Sequence, residues 1–322
     1  MEKLKLVEVS SELAAGTRGA SLGVGAIKTA SLNKGSDFFR KYKTTAVPTI
    51  NESLFLDIEN PYAKHIHEVR IMLERTCETI SDTINKGFVP VVLAGDHSTA
   101  AGTICGIKNA NPDKRIGVIW IDAHADFHTP YTSPSGNMHG FSLAIAAAID
   151  NLECRVNNPK ESTLQEWEEI KKIGVDGPKI KPEDVVFIGV RSTEEPERCL
   201  MENHGIRNFT VSEVREKGVK AIAEEALSRL ADCDLVYVSF DVDSMDPDAI
   251  SEGTGTPVPN GLYEDEAKEL NRLLVQHPKV CAWEIVEVNP TLDEHNAMAE
   301  TAFEIIESTV KALENRSAEV KI

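Results

Sequence analysis

Short apolar runs recur along the chain at 5–9, 89–94, 117–121, 185–190, 235–240 and 282–288. Their length and their β-branched or aromatic content predict buried strands. Between several of them lie stretches with apolar residues at helical spacing, 63–86, 163–172, 219–230 and 264–277. A last helix is expected over 297–313, capped by Asn296 or a neighbour. Strands alternating with helices imply an α/β chain, a mainly parallel sheet covered on both faces in three α/β/α layers. Such sheets bind their ligands at the carboxyl ends of the strands.

Polar residues stand at those ends. Five of the expected strands run straight into Asp96-His97, Asp122-Ala-His124, Arg191, Asp241-Val-Asp243 and Glu287-Val-Asn289. Strand ends meeting water explain one or two such exits, but not Asp and His repeated at i, i+2. In an extended chain, side chains at i, i+2 and i+4 point the same way. The runs Asp122-Ala-His124-Ala-Asp126 and Asp241-Val-Asp243 are therefore expected to aim at one point, with Gly95 allowing a sharp exit toward His97. Six candidate metal ligands result: His97, Asp122, His124, Asp126, Asp241 and Asp243. Oxygen-rich sets with some imidazole suit Mn²⁺, Mg²⁺ or Fe²⁺, whereas zinc takes more His or Cys, and two imidazoles favour Mn²⁺ over Mg²⁺. Four carboxylates would balance two divalent ions and would repel one another without them.

Composition narrows the class. The 322 residues, 41% of them hydrophobic, supply a large core. No Pro/Gly/Ser-rich linker, low-complexity tract or repeat interrupts them, so one domain over 1–322 is expected. With 34 basic against 52 acidic residues the formal charge is −18, which disfavours nucleic acid and anionic membranes as partners. That charge suits a cationic substrate, although solubility accounts for it better. Cys77, Cys105, Cys154, Cys199, Cys233 and Cys281 show no metal-binding spacing and read as reduced, mostly buried thiols. The first thirty residues lack a signal-peptide core, and no run approaches the roughly twenty apolar residues of a membrane span. A cytoplasmic protein is expected.

The strand-end motifs carry a family likeness. Gly95-Asp96-His97-Ser98, Asp122-Ala-His124-Ala-Asp126, Ser133-Pro-Ser135-Gly-Asn137-Met-His139-Gly140, Ser239-Phe-Asp241-Val-Asp243-Ser-Met-Asp246-Pro247, Gly255-Thr256-Pro257 and Glu287-Val-Asn289-Pro290 stand in order along the chain. In these segments the chain resembles the arginase/agmatinase (ureohydrolase) family. The Ser-Gly-Asn-x-His segment resembles arginases rather than agmatinases. Gly16-Thr-Arg18-Gly19 and the 301–310 helix extend the likeness over nearly the whole chain.

The resemblance implies an arginase-like fold, two Mn²⁺ per subunit, and hydrolysis of L-arginine to L-ornithine and urea by a metal-bridging hydroxide. It also implies a small cationic guanidino substrate and a homotrimer or homohexamer. By the same resemblance His97, Asp122, Asp126 and Asp241 would hold one ion, and Asp122, His124, Asp241 and Asp243 the other, with Asp122 and Asp241 bridging. Asp126, His139 and Glu287 would be catalytic. A guanidinium carbon is a poor electrophile, and a water between two ions roughly 3.5–4 Å apart is deprotonated more easily. Glu287 would orient the guanidinium through a charged hydrogen bond, and His139 would pass a proton to the departing amine. Ser133, Ser135 and Asn137 would receive the substrate carboxylate, Glu194 or Glu195 its α-ammonium, and His128 and Thr256 would also contact substrate.

Three departures stand out. The chain reads Arg191-Ser192-Thr193-Glu194-Glu195 where arginases carry Arg-Asp-x-Asp, and His128 stands where they place Asn. One extra residue separates Asp246-Pro247 from Gly255-Thr256. These keep open another hydrolase of the family, acting on agmatine, a guanidino acid or a formimino compound. A non-catalytic metal-binding relative is a further alternative, against which the intact ligand set argues, and a zinc deacylase is disfavoured by four Asp with two His. His65, His67, His204, His277 and His295 read as surface or structural residues. The glycine-rich run 19–25 fits no nucleotide-binding pattern and is expected to be a turn beside the site.

Overall fold

The computed structural model describes residues 3–319. Its strands are β1 (Leu4–Val9), β2 (Lys43–Ala46), β3 (Val89–Ala94), β4 (Ile116–Ile121), β5 (Val185–Ile188), β6 (Arg207–Phe209), β7 (Leu235–Asp241) and β8 (Val280–Val286). They form one eight-stranded sheet in the order β2-β1-β3-β8-β7-β4-β5-β6. Every pairing is parallel, so the expected parallel character extends to all described strands. The six strands expected from the apolar runs are present. The two edge strands, β2 and β6, fall outside those runs, because an edge strand need not be apolar on both sides: all four residues of Lys43–Ala46 are at least partly exposed.

Alternate residues feed two cores. Val91 and Leu93 of β3, with Ile119 and Ile121 of β4, face helices Gly23–Asn33, Val219–Arg229, Glu264–Leu274 and Ala297–Glu319. Val92, Ala94, Val118 and Trp120 face helices Ile66–Asn85, Thr99–Ala110, Ser142–Ala147 and Glu161–Ile170. The helix Ile66–Asn85 shows why: Ile66, Val69, Leu73, Cys77 and Ile80 recur at three- and four-residue spacing and are all buried. Each such aliphatic side chain contributes about 1.5–3 kcal/mol by leaving water.

Boundaries differ where local backbone intervenes. The helix expected from residue 63 starts at Ile66, because His65 is left-handed at φ 53°. The helix expected to reach 277 stops at Leu274, and that expected over 163–172 spans Glu161–Ile170. The run 19–25 is not a turn throughout. Ala20–Leu22 is a single 3₁₀ turn that passes into the helix Gly23–Asn33. Two glycines in its first turn, each about 1 kcal/mol worse than Ala in a helix, conceal the helix in the sequence. Tertiary contacts hold it, including Asn296 Nδ2 donating to Ala26 O at 3.1 Å. All six cysteines are free thiols, and only Cys77, Cys105 and Cys233 are buried, fewer than expected.

The order of the strands positions the site. The chain passes from β3 to β4 across two places later filled by β8 and β7, a topological switch point. The carboxyl ends of β3, β8, β7 and β4 therefore stand side by side. Leu93 and Phe240 both pair with Ile285, and Ile121 pairs with Phe240, so the four strands release their next residues at one level.

Candidate metal centre and adjoining cavity

The acidic runs converge by bending rather than by continuing as extended strands, which corrects the expectation from i, i+2 spacing. β4 ends at Ile121, and Asp126 is left-handed at φ 51°. His124 N donates to Asp122 Oδ1 at 2.6 Å, and Asp243 N donates to Asp241 Oδ1 at 2.8 Å. These side-chain turns are what Asp favours just past a regular element, and Val242–Ser244 closes as a 3₁₀ turn. Behind them, the Arg191 guanidinium donates to Asp243 O (2.9 Å) and Val258 O (2.6 Å), tying two loops together.

All six candidate ligands meet. His97 Nδ1 lies 3.1 Å from each of Asp122 Oδ2, Asp126 Oδ2 and Asp241 Oδ2. His124 Nδ1 lies 3.0 Å from Asp243 Oδ2 and 3.5 Å from Asp122 Oδ1. His97, Asp122 and Asp126 form one group able to hold an ion, and Asp122, His124 and Asp243 form a second. Asp122 is common to both and turns one oxygen to each.

The residues suit divalent cations. His97 Nδ1 and Asp122 Oδ2 are fully buried and make no hydrogen bond, and such atoms need another partner. Burial, then neighbouring carboxylates, pushes Asp126, Asp241 and Asp243 above the usual carboxylate range. Burial also opposes charge on Asp122, but the imidazoles of His124 and His97 outweigh it and hold that carboxyl low. Hard cations relieve this crowding and match the oxygen-rich donors. The far nitrogen, His97 Nε2, is 2.8 Å from Ser239 Oγ, and the ring stacks on Trp120 at 4.1 Å and 5°. With its proton on Nε2, His97 presents a lone pair at Nδ1.

Next to the cluster, Glu287 follows β8 and is buried. Its Oε1 accepts from His97 N at 2.9 Å and lies 3.2 Å from His139 Nδ1. Burial disfavours a charged His139, yet the Glu287 carboxylate prevails and holds the imidazole at about 9. Burial likewise opposes charge on Glu287, and His139 reverses the balance and lowers it.

A cavity of about 260 Å³ opens above the cluster. His124, Asp126, Asp241 and Asp243 form its floor, and His139 reaches it from one side. Ser133, Ser135, Asn137, His128, Glu194 and Thr256 line its walls. Thr256 Oγ1 donates to Asp243 Oδ2 at 3.0 Å. Both ring nitrogens of His128 have partners: Nδ1 is 3.3 Å from Thr132 Oγ1, and Nε2 is 3.0 Å from Glu194 Oε2 and 3.5 Å from Glu197 Oε2. Glu195 is turned outward against Arg198 at 2.8 Å, which leaves Glu194 as the wall residue.

Glu197 and Lys64 are not singled out in the sequence, and Ser239 appears there only as the start of a motif, without a role. Glu197 accepts from Phe127 N and Glu194 N, both at 3.2 Å, and burial lifts its carboxyl to about 7. The spacing Glu194-x-x-Glu197 before a helix was its one legible signal. Ser239 alternates with Asp241 along β7, which a strand pattern could have shown.

A buried carboxylate–imidazole cluster at the switch point of a parallel α/β sheet defines a metal-dependent hydrolase. The arginase family model matches residues 3–311. The arginase of Bacillus subtilis (strain 168) is 35% identical over 306 residues, 95% of this chain and 96% of that protein. The solved arginase of Bacillus caldovelox superposes with a TM-score of 0.81 at 32% identity, covering 96% of this chain and 98% of that one. The Entamoeba histolytica arginase, solved with L-ornithine, gives 0.81 at 26% identity over 96% and 99% of the two chains. The chain belongs to the arginase family.

Proposed function

We propose that the protein hydrolyses L-arginine to L-ornithine and urea, using two Mn²⁺ per chain. The observation that carries this reading is the convergence of three carboxylates on His97 Nδ1 beneath a cavity whose walls bear hydroxyl, amide and carboxylate groups. His97, Asp122, Asp126 and Asp241 would hold one ion, and Asp122, His124, Asp241 and Asp243 the other. The pair would acidify a water and stabilise the charge that develops on the substrate.

The protein's own groups supply the remaining steps. Asp126 would hold an ion and also lines the cavity, so its carboxylate would take the proton of the attacking water. Glu287 and the neighbouring carboxylates attract and orient the guanidinium. His139, with the Glu287 carboxylate 3.2 Å from its Nδ1 favouring a proton, would give that proton to the departing amine. At the other end, Ser133, Ser135 and Asn137 bind the carboxylate and Glu194 attracts the α-ammonium, while Thr256 and His128 hold neighbouring groups in place. The departures at His128 and Glu194 support a second reading, a different guanidino or formimino substrate on the same metal chemistry.

We further propose a cytoplasmic homotrimer or homohexamer. No helix among the described residues is long and apolar enough to cross a membrane, and light scattering reads the assembly directly. The function is tested by urea release from L-arginine, agmatine and guanidino acids, and by formamide release from formimino compounds, each with Mn²⁺ and with Zn²⁺. The expected result is fastest turnover of arginine with Mn²⁺. Equal or faster turnover of agmatine would leave only the broader family chemistry.

A further inference from the structure

Lys64 belongs to none of the sequence motifs, yet it reaches the cavity wall. Its Nζ lies 3.0 Å from Asn137 Oδ1, and its backbone N donates to Gly136 O at 2.8 Å. Among the described residues no ion pair joins it to a carboxylate, in a chain with 52 acidic residues. A half-buried ammonium without a counterion is poorly compensated.

Its bond to Asn137 has a chemical consequence. A lysine ammonium only donates, so the Asn137 atom facing it is the carbonyl oxygen, and the amide NH₂ points the other way. The two serines are polarised similarly. Ser133 Oγ accepts from Gly136 N at 2.8 Å and Ser135 Oγ accepts from Asn137 N at 3.2 Å, which leaves each hydroxyl hydrogen free to donate. Two hydroxyls on the cavity wall thus offer donors, beside an Asn137 amide whose Nδ2 lies toward Gly16, with a positive charge behind them. The loop is also fixed against the lysine segment: Gly136 is left-handed at φ 72°, and a Cβ there would come within 1.9 Å of Pro61 O.

We infer that Lys64 is a specificity-determining residue, holding the 133–137 loop as a donor cradle for the carboxylate of an amino-acid substrate. His128 does not share this task, since Thr132 and Glu194 occupy its ring nitrogens. The inference rests on the proposed arginine chemistry for its substrate but concerns residues outside the metal-ligand set. Lys64 acts through Asn137 and through its charge, as a positioning residue.

The test uses the full-length Mn²⁺-loaded protein with Lys64→Met, Lys64→Arg and, as a second route to the same loss, Asn137→Asp. Methionine keeps an apolar stem without the charge. The Asn137→Asp change puts a carboxylate against the Lys64 ammonium and removes the NH₂ donor. Lys64→Met is expected to raise KM for L-arginine about tenfold, more than it lowers kcat. The Ki of agmatine, which lacks the carboxylate, is expected to stay within twofold, and Lys64→Arg to recover most of the loss. Calorimetric binding of L-ornithine against putrescine reads the same subsite without turnover. A selective loss of L-ornithine binding in a protein that does not hydrolyse arginine would defeat the functional reading and support the cradle. Normal arginine turnover with unchanged L-ornithine affinity in Lys64→Met and Asn137→Asp would overturn the cradle. So would an equal weakening of agmatine and arginine, the mark of a merely structural residue.

Discussion

Ser239→Ala removes one oxygen from a fully buried position and leaves His97 Nε2 without its partner at 2.8 Å. The ring is 1% exposed and stacked on Trp120, so water cannot readily replace the hydroxyl. Holding an ion through Nδ1 requires the imidazole proton on Nε2, where it would be orphaned, at about 1–3 kcal/mol. In the metal-free protein three carboxylates 3.1 Å from Nδ1 favour a proton there, so the ring can shed the Nε2 proton and escape up to that cost, whereas the metal-bound ring cannot. The penalty therefore falls on metal binding. At about 1.4 kcal/mol per factor of ten, it amounts to roughly 5- to 150-fold, in line with the 10–100-fold typical of residues that orient a metal ligand. Mn²⁺ titration of chelator-treated protein by calorimetry measures it directly, with weakening confined to one of two sites. Wild-type affinity at both sites in Ser239→Ala would show that the hydroxyl does not set the His97 tautomer.

Other perturbations separate chemistry from stability. His139→Asn is expected to lower kcat about 10²–10⁴-fold with bound metal unchanged; reduced metal content with unaltered turnover per loaded chain would refute the proton-transfer role. Glu304 is bonded by Lys268 at 2.8 Å and by Lys34, joining three helices, and these lysines hold its carboxyl at about 2. A lowered carboxylate pKa gives stability that is present above the unfolded value of 4.5 and lost as pH falls through about 2. Because the groups are partly exposed, Glu304→Gln should destabilise by only about 0.5–1 kcal/mol at pH 7. In urea melts that gap should persist at pH 5 and narrow below pH 4; a gap already closed at pH 5 would contradict the assignment.

The central strands and the ligand set were legible because burial on both faces forces continuous apolar runs, and their polar exits then contrast sharply. Where coverage is one-sided, as at Lys43–Ala46, the same signal disappears. The ligand residues could be named from their motifs, but not the way they meet: side-chain turns at Asp122 and Asp241 and a left-handed Asp126 bend the chain inward. Asp favours such turns just past a strand, but no local rule says which Asp will take one or that Asp126 will turn left-handed. Lys64 stayed hidden for a different reason, since its partner is 73 positions away and only the folded chain brings the two together. His128 shows the limit of reading a role from position: its place near the cavity was legible, but its bonds to Thr132 and Glu194 were not.

The central claim is that arginine hydrolysis depends on a pair of ions held by this cluster. Urea release from L-arginine, measured as chelator-treated protein is titrated with Mn²⁺ at protein concentrations far above the dissociation constants, tests it most directly. Activity should rise until two equivalents per chain are bound and then level off, with no further gain. Full activity at one equivalent, or no urea at any Mn²⁺ loading, would contradict it.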